Sequence, residues 1–151
     1  MRHWWLAAGL SVAGSLAWAQ PAWFTVVGDP LDKAADTVQV DPNRIAAPPP
    51  AEGEASPEKP LIEMNVRVNR SGPRFNWDRI PYRSYESRVV FDCQAKSATY
   101  VQARFYAEPL WRGEPHHVAD YSASPKPMRF LDMTPNPTAR IVRAACRMRA
   151  S

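Results

Sequence analysis

The amino-acid sequence predicts an α+β domain of mostly β structure, a small antiparallel β-sheet with a C-terminal α-helix tied to it by one disulfide. Three observations support this fold class. Short runs rich in β-branched and aromatic residues alternate with turn signals over residues 23–121. Near the C-terminus, the spacing of apolar residues changes to that of an α-helix. The chain also has two cysteines, Cys93 at the end of a predicted strand and Cys146 in the predicted helix.

The N-terminus has the three parts of a secretory signal peptide. Residues 1–3 supply a basic start, residues 4–16 are largely apolar, and Ala17 and Ala19 occupy the small-residue positions before a cleavage site. A membrane anchor would need about 20 apolar residues, which is more than this run provides. We therefore expect cleavage after Ala19 and export of residues 20–151 as a single domain, either to the periplasm or to the outer surface.

The predicted strands follow one another through the exported part. Residues 62–69 show the clearest pattern, because even positions are apolar and odd positions are polar, as in a strand with one face on a core. A hairpin loop at 94–97 joins two longer runs. The predicted strands are 23–27, 37–41, 62–69, 84–93, 98–107 and 116–121.

Strict alternation along 98–107 predicts which side chains face water. We expect one face to be exposed, and this face carries Tyr100, Gln102, Arg104 and Tyr106. We expect the other face to be the core side, and it carries Thr99, Val101, Ala103 and Phe105.

Prolines predict where the strands are interrupted. The chain has 16 prolines and only 6 glycines, which indicates stiff loops around short strands. Residues 46–60 are proline-rich and offer almost nothing to bury, so we expect an extended, mobile surface loop there. Turn signals around Pro42 predict the end of the second strand, and Ser71-Gly72-Pro73 predicts a loop.

The C-terminal segment predicts a helix over 138–147 that carries one of the two cysteines. Asn136 offers an N-cap, and Pro137 suits the first helical position. Apolar side chains, including Cys146, fall on one side of this helix. In an oxidising compartment two thiols in a small domain usually pair, so we expect a Cys93–Cys146 disulfide.

Composition and motifs exclude several functional classes. Removing residues 1–19 lowers the formal charge from +4 to +3, a surplus too small and too scattered for a nucleic-acid protein. No serine elbow, phosphate loop or metal-binding helix motif is present, and both cysteines are assigned to the disulfide. The sequence therefore predicts a non-enzymatic protein without catalytic residues or a transmembrane segment. Its oligomeric state stays open.

Several short motifs resemble the surface-adhesin protein E family of Gram-negative bacteria. They are Trp23, Val40-Asp41-Pro42, Tyr82-Arg83-Ser84, Phe91-Asp92-Cys93, Tyr106, Arg112-Gly113-Glu114 and Arg143-Ala144-Ala145-Cys146. The resemblance implies an exported, non-enzymatic protein, and its best-known relative binds host matrix and plasma proteins and haem. The chain departs from this pattern in the proline-rich loop, in an arm at 74–78, and in lacking a lipid-acceptor cysteine after Ala19.

Interleaved aromatic and basic residues are the candidates for contact with a protein or cell-envelope partner, because Tyr, Trp and Arg dominate binding hot spots. The partner-binding candidates are Tyr82, Arg83, Arg104, Tyr106, Trp111 and Arg112. The alternative is that these side chains only edge the sheet, with their stems packed on apolar neighbours.

A second hypothesis is a periplasmic carrier of haem or another small flat ligand. Its candidate residues are His116, His117 and Tyr100, because His and Tyr are axial ligands of haem iron. Adjacent residues of a strand point to opposite faces, so only one of the two histidines could serve a given site. The alternative is that both are exposed loop residues. No cysteine or carboxylate cluster accompanies them, so we predict no metal site and no resident cofactor.

Overall fold

A computed structural model describes residues 22–46, 52–53 and 61–148 of the chain. The expected signal peptide at 1–19 and most of the expected loop at 46–60 lie outside these residues. The described part contains seven strands and one α-helix: β1 Phe24–Val27, β2 Thr37–Ile45, β3 Ile62–Phe75, β4 Pro81–Asp92, β5 Ser97–Tyr106, β6 His117–Asp120, β7 Lys126–Pro127 and α1 Thr138–Arg147. The predicted fold class is therefore confirmed.

The strands form one antiparallel sheet in which chain neighbours are also spatial neighbours. β1 to β6 pair in order, and β7 pairs with β5 next to β6. β6 pairs along 102–105 of β5, whereas β7 pairs at Thr99 and Tyr100. Two short strands therefore share one edge of β5, and the chain returns from that edge to α1.

One face of the sheet, here called the helix side, is apolar and covered by α1. A cross-strand row of buried side chains runs across four strands on this side: Val38, Val68, Tyr85 and Phe105. The helix closes the core with Ile141, Val142 and Ala145. Complete burial of each large apolar side chain contributes about 1.5–3 kcal/mol, so this layer is the main source of stability.

The opposite face, here called the polar face, carries charged and amide side chains in register. One row across five strands contains Thr25, Gln39, Arg67, Glu86 and Arg104. Within this row Arg67 donates from Nε to Gln39 Oε1 (2.7 Å), and Gln39 donates from Nε2 to Thr25 Oγ1 (2.9 Å). These hydrogen bonds support the pairing of β1, β2 and β3.

A bulge in β5 changes which face Tyr100 occupies. Arg88 lies opposite Gln102, whereas the residue after Arg88 lies opposite Tyr100. Val101 is therefore an extra residue, and alternation before it is reversed. Tyr100 is buried on the helix side, with 3% of its surface exposed, so the prediction that it faces water is wrong. Of the predicted core side chains, Ala103 and Phe105 are buried.

β2 and β3 both extend past the residues predicted to end them. β2 shifts register between Val40 and Arg44 and continues beyond Pro42. β3 shifts between Asn69 and Arg74 and includes the predicted loop at 71–73. Irregular pairing accommodates proline and glycine inside a strand, because the shifted residues need not donate to the ladder.

The C-terminal helix is capped and covalently tied to the sheet as the sequence predicts. Asn136 Oδ1 accepts a hydrogen bond from the Thr138 N–H (2.9 Å), and Pro137 has helical torsion angles. Cys93, just after β4, forms a disulfide with Cys146 in the last turn of α1, with Cα atoms 5.8 Å apart. A ten-residue helix is marginal alone, so packing and the disulfide hold it in place.

Replacing both cysteines, Cys93→Ser with Cys146→Ser, should lower the free energy of unfolding by up to roughly 4 kcal/mol, because the unfolded chain loses a long loop constraint. Urea unfolding with and without reductant measures this difference. The wild-type protein should match the double variant only after reduction, and the double variant should not respond to reductant. Equal midpoints for oxidised wild type and double variant would contradict a stabilising role for the disulfide.

Candidate functional site

The six partner-binding candidates do not form one exposed face. Tyr82 packs against Tyr85 and Phe105 towards the helix side, with ring centroids 5.5 and 5.2 Å apart. Arg104 and Tyr106 belong to the polar face, through their pairing with Glu86 and Ser84. Tyr82 and Tyr106 are 9% and 5% exposed, so the predicted exposure of these two rings is wrong.

Trp111 on the polar face has mainly structural contacts. Its indole Nε1–H is within hydrogen-bonding distance of the carbonyl oxygens of Tyr85 (3.0 Å) and Val68 (3.2 Å). The guanidinium carbon of Arg67 lies 4.0 Å from its ring centroid and 4.4 Å from that of Trp23. Cation–π contacts on both sides of Arg67 therefore fix the two tryptophans against the sheet.

The arginine candidates differ in whether their side chains already have hydrogen-bond or ion-pair partners. Arg83 donates to the carbonyl oxygens of Lys33 (3.1 Å) and Arg70 (3.4 Å), so it links the β1–β2 connection to β3. Arg104 and Arg112 are exposed, and neither forms an ion pair within the described ranges. The polar face therefore offers free positive charge with little exposed aromatic surface.

The small-ligand candidates are separated by the fold. His116 donates from Nε2 to the carbonyl oxygen of Pro81 (2.8 Å), and His117 donates from Nε2 to Asp78 Oδ2 (3.2 Å). Both contacts fasten β6 to the β3–β4 hairpin. Tyr100 instead lies in the core, where its hydroxyl is 2.7 Å from that of Tyr85. The three side chains do not converge on one ligand position.

A depression of about 520 Å³, here called the aromatic groove, is lined mostly by other residues, although Tyr82 and Tyr100 are among them. Its walls come from the ends of β3 and β4, from β5, and from the segment 127–132 before α1. It is lined by Arg70, Arg74, Phe75, Asn76, Trp77, Tyr82, Tyr85, Tyr100, Ala103, Phe105, Pro127, Arg129, Phe130, Leu131 and Asp132. Seven aromatic rings and three guanidinium groups thus meet in one concave site.

The mouth of the aromatic groove exposes large apolar side chains. Leu131 is 79% exposed, Phe75 is 71% exposed and Trp77 is 47% exposed. Phe75 and Trp77 belong to the β3–β4 hairpin, whereas Leu131 lies on the facing segment. Clustered apolar exposure at the edge of a concavity is typical of an interaction site.

The hairpin tip at 76–80 is rigidly held, although it projects from the sheet. Asn76 Oδ1 accepts the N–H groups of Asp78 and Ile80, both at 2.9 Å. The Trp77 ring packs against Tyr100 (5.5 Å) and Tyr121 (5.6 Å). This wall of the aromatic groove is therefore preorganised, which lowers the entropic cost of binding.

Two ion-paired arginines stabilise the polar side of the aromatic groove. Arg70 is 4% exposed and donates to Asp36 (3.0 Å) and Asp132 (2.5 Å). Arg74 donates from Nε to the same Asp132 oxygen (2.7 Å). Partial burial opposes ionisation of Asp132, but the hydrogen bond from Arg74 and the charge of Arg70 lower its pKa.

The floor of the aromatic groove contains a buried pair of neutral phenols. Burial and the proximity of Tyr100 raise the pKa of Tyr85 well above its ordinary value, and burial also raises the pKa of Tyr100. Both hydroxyls are therefore protonated at neutral pH and satisfy each other. One hydroxyl donates the hydrogen bond and the other accepts it, so neither buried hydroxyl lacks a partner.

A family model described as surface-adhesin protein E matches residues 23–147. The chain belongs to the surface-adhesin protein E family. The match includes the sheet, both cysteines and all of α1, so the resemblance noted in the sequence is confirmed. Membership indicates an adhesin-like binding protein of the exported class and implies a non-enzymatic role. Comparisons with curated proteins and with solved structures gave no match.

The described part of this family member has neither a metal-binding cluster nor a membrane-spanning helix. Across 22–46, 52–53 and 61–148, no three His, Cys, Asp or Glu side chains are grouped so that they could hold a metal ion. No helix in these ranges is long and apolar enough to cross a bilayer.

Sequence reasoning did not identify the aromatic groove. The stretch Phe75-Asn76-Trp77 was a usable signal, because two aromatic residues flank an amide at a turn. Arg129 and Leu131, by contrast, come from a distant segment without a regular pattern. The pairing of β5 with β7 and the ion pairs of Asp132 with Arg70 and Arg74 bring that segment beside the hairpin.

Tyr85→Phe should destabilise the protein by about 1–3 kcal/mol, because the buried hydroxyl of Tyr100 loses its partner. Tyr85→Phe combined with Tyr100→Phe should cost less than the sum of the single variants, because no buried hydroxyl remains. Urea unfolding of the two single variants and the double variant measures the coupling energy. Strictly additive losses would contradict the paired arrangement.

Proposed function

We propose that the chain is an exported, non-enzymatic binding protein that recognises a protein or cell-envelope partner through the aromatic groove. The observation that carries the proposal is the exposed trio Phe75, Trp77 and Leu131 at the mouth of a concave site. Family membership supports an adhesin-like role, and a host matrix protein is one class of partner that fits it.

The composition of the aromatic groove resembles that of a binding hot spot. Aromatic and arginine side chains dominate such spots, which lie in well-packed pockets that exclude water. Trp77 and Phe75 provide apolar surface on rigid backbone, whereas Arg74 and Arg129 provide charge at the edge. A partner side chain inserted here would displace water from several rings at once.

The polar face fits the role of partner surface less well than the aromatic groove. Its aromatic candidates are not free to contact a partner, since Tyr106 is buried and Trp111 packs on Arg67. A smaller depression of about 240 Å³ on this face is lined mainly by polar and charged residues, including Asn65, Glu86 and Arg104. Exposed charges of this kind steer association more than they add affinity.

The carrier hypothesis is weakened for haem by the positions of its proposed ligands. Neither histidine lines the aromatic groove, and both Nε2 atoms are engaged with Pro81 or Asp78. Tyr85 and Tyr100 do line it, but a phenolate ligand would break their buried hydrogen bond. The aromatic groove therefore does not fit haem iron, although its rings could hold a flat organic molecule.

Replacing two mouth residues, Phe75→Ser with Leu131→Ser, should weaken partner binding at least tenfold, because two exposed apolar contacts are lost. The assay is saturable binding of labelled protein to immobilised extracellular-matrix proteins and, separately, to an outer-envelope preparation. Both side chains are more than 70% exposed, so the variant should keep the wild-type melting temperature.

The matched control for this variant is Arg104→Ala with Arg112→Ala, two exposed changes outside the aromatic groove. We expect the control to bind within about threefold of wild type, since exposed charges contribute little affinity. If the control loses binding and the mouth variant does not, the polar face is the partner surface and the proposal fails.

A haem titration followed by absorbance tests the carrier hypothesis. We expect no shift of the Soret band, because both histidine Nε2 atoms have hydrogen-bond partners and the Tyr85 and Tyr100 hydroxyls bond to each other. A saturable shift that disappears in His117→Ala but not in His116→Ala would establish ligation by His117 and overturn this expectation.

A further inference from the structure

We propose that the outer face of helix α1 is a second binding site, which holds a linear sulfated polysaccharide through a row of guanidinium groups. The row, here called the arginine stripe, consists of Arg140, Arg143 and Arg147. None of the three lines the aromatic groove, so this site is separate from it and adds to the proposed function. Three observations support it: the alignment of the side chains, their lack of ion-pair partners in the described part of the chain, and the repulsion between them.

The arginine stripe follows from the spacing of its residues along α1. Residues three and four apart in a helix lie on one side, so the three Cβ atoms fall within about 60° around the axis and span about 10 Å along it. All three side chains are exposed, whereas the buried residues of α1 face the sheet. Arg44 brings a fourth exposed guanidinium to the end of the helix, where it donates to the carbonyl oxygen of Met148 (2.5 Å).

No carboxylate neutralises the arginine stripe within the described ranges. None of its three residues, nor Arg44, belongs to an ion pair among residues 22–46, 52–53 and 61–148. The local sequence explains the excess, because residues 133–151 contain four arginines and no acidic residue. The small net charge of the chain therefore conceals a concentrated positive surface on α1.

The arrangement also opposes the stability of the helix that carries it. Arg143 has a like charge on the neighbouring turn on either side, and such pairs destabilise a helix. Arg140 lies in the first turn, where the helix dipole disfavours a positive charge. Departures from local stability rules without a compensating contact are expected at functional sites. A bound polyanion would replace this repulsion with attraction.

The chemistry of the arginine stripe selects the ligand. A guanidinium forms two parallel hydrogen bonds with an oxyanion, which gives arginine an advantage over lysine for this type of group. Three such groups in a row match anionic groups repeated along a chain, whereas one small anion would engage only one of them. Clustered basic residues of this kind are typical of heparin-binding patches.

An anionic bilayer fits the arginine stripe less well than a polysaccharide. Helices that lie on a membrane bury an apolar face among the lipids. The apolar face of α1 is already used by the core, since Ile141, Val142 and Ala145 are at most 3% exposed. Helix α1 can therefore contact only headgroup charge on a bilayer, and we assign the site to the polysaccharide.

The test measures the fluorescence anisotropy of a fluorescein-labelled heparin oligosaccharide titrated with the oxidised, full exported chain. The same oligosaccharide after desulfation, which keeps its carboxylates, is the first comparison. We expect the sulfated form to bind at least tenfold more tightly, and its binding to weaken as salt is raised from about 0.05 to about 0.15 M, because exposed charges are screened. Vesicles of phosphatidylcholine with phosphatidylglycerol, added as competitor, should not displace it.

A charge-matched pair of variants assigns the binding to α1. Arg140→Gln with Arg143→Gln should weaken heparin binding about tenfold, because two charge-assisted contacts are lost. Glutamine keeps helix propensity and removes the repulsion, so the melting temperature at low salt should equal or exceed that of wild type. Arg104→Gln with Arg112→Gln removes the same charge from exposed positions outside α1 and should bind within about threefold of wild type.

Four results would contradict this assignment: equal affinity for the sulfated and desulfated forms, displacement of heparin by the vesicles, unchanged binding by the α1 variant, or an equal loss in the charge-matched control. The mouth variant, Phe75→Ser with Leu131→Ser, separates the two sites. It should bind heparin as wild type does, and loss of heparin binding in that variant would place the polysaccharide in the aromatic groove instead. Failure of the heparin experiments leaves the proposed function of the aromatic groove intact, since that function is tested with protein and envelope partners.

Discussion

The disulfide between Cys93 and Cys146 is the constraint on which both the core and the aromatic groove depend. Helix α1 covers the apolar side of the sheet, yet a helix of this length is marginal without tertiary contacts. The segment that carries Arg129 and Leu131 runs between β7 and α1, so its two ends are fixed by strand pairing and by the stapled helix. The covalent tie therefore also keeps one wall of the aromatic groove in place.

The opposite wall is held by non-covalent contacts of a different kind. The hairpin tip depends on Asn76, whose side-chain oxygen accepts hydrogen bonds from two backbone N–H groups of the turn. It also depends on the packing of the Trp77 ring. The ion pair of the buried Arg70 with Asp36 connects this region to the β1–β2 connection. The two walls are joined by the ion pairs of Asp132 with Arg70 and Arg74, so the site has little freedom to lose on binding, which favours recognition by preorganisation.

The two faces of the sheet have different roles. The helix side supplies the apolar core, and the polar face carries exposed charge. On the helix side, most aromatic rings of the described residues are packed in the core, and Phe75 and Trp77 are exposed at the aromatic groove. On the polar face, Arg67 lies between two tryptophans, so aromatic surface that could bind a partner stabilises the sheet instead. Family membership is consistent with either surface, because a family model describes the whole domain and does not identify a contact residue.

The sequence alone predicted where strands β1 to β6 lie along the chain, the helix with its Asn136 cap, the disulfide and the family, because alternation, capping and cysteine placement are local signals. Only the tertiary structure decided that Tyr100 is buried, since a one-residue bulge reverses alternation and depends on the pairing partner. It also decided that the aromatic groove joins Phe75 to Leu131, residues far apart in the chain. Such a site arises from strand pairing and packing between distant segments, and no local pattern encodes that proximity.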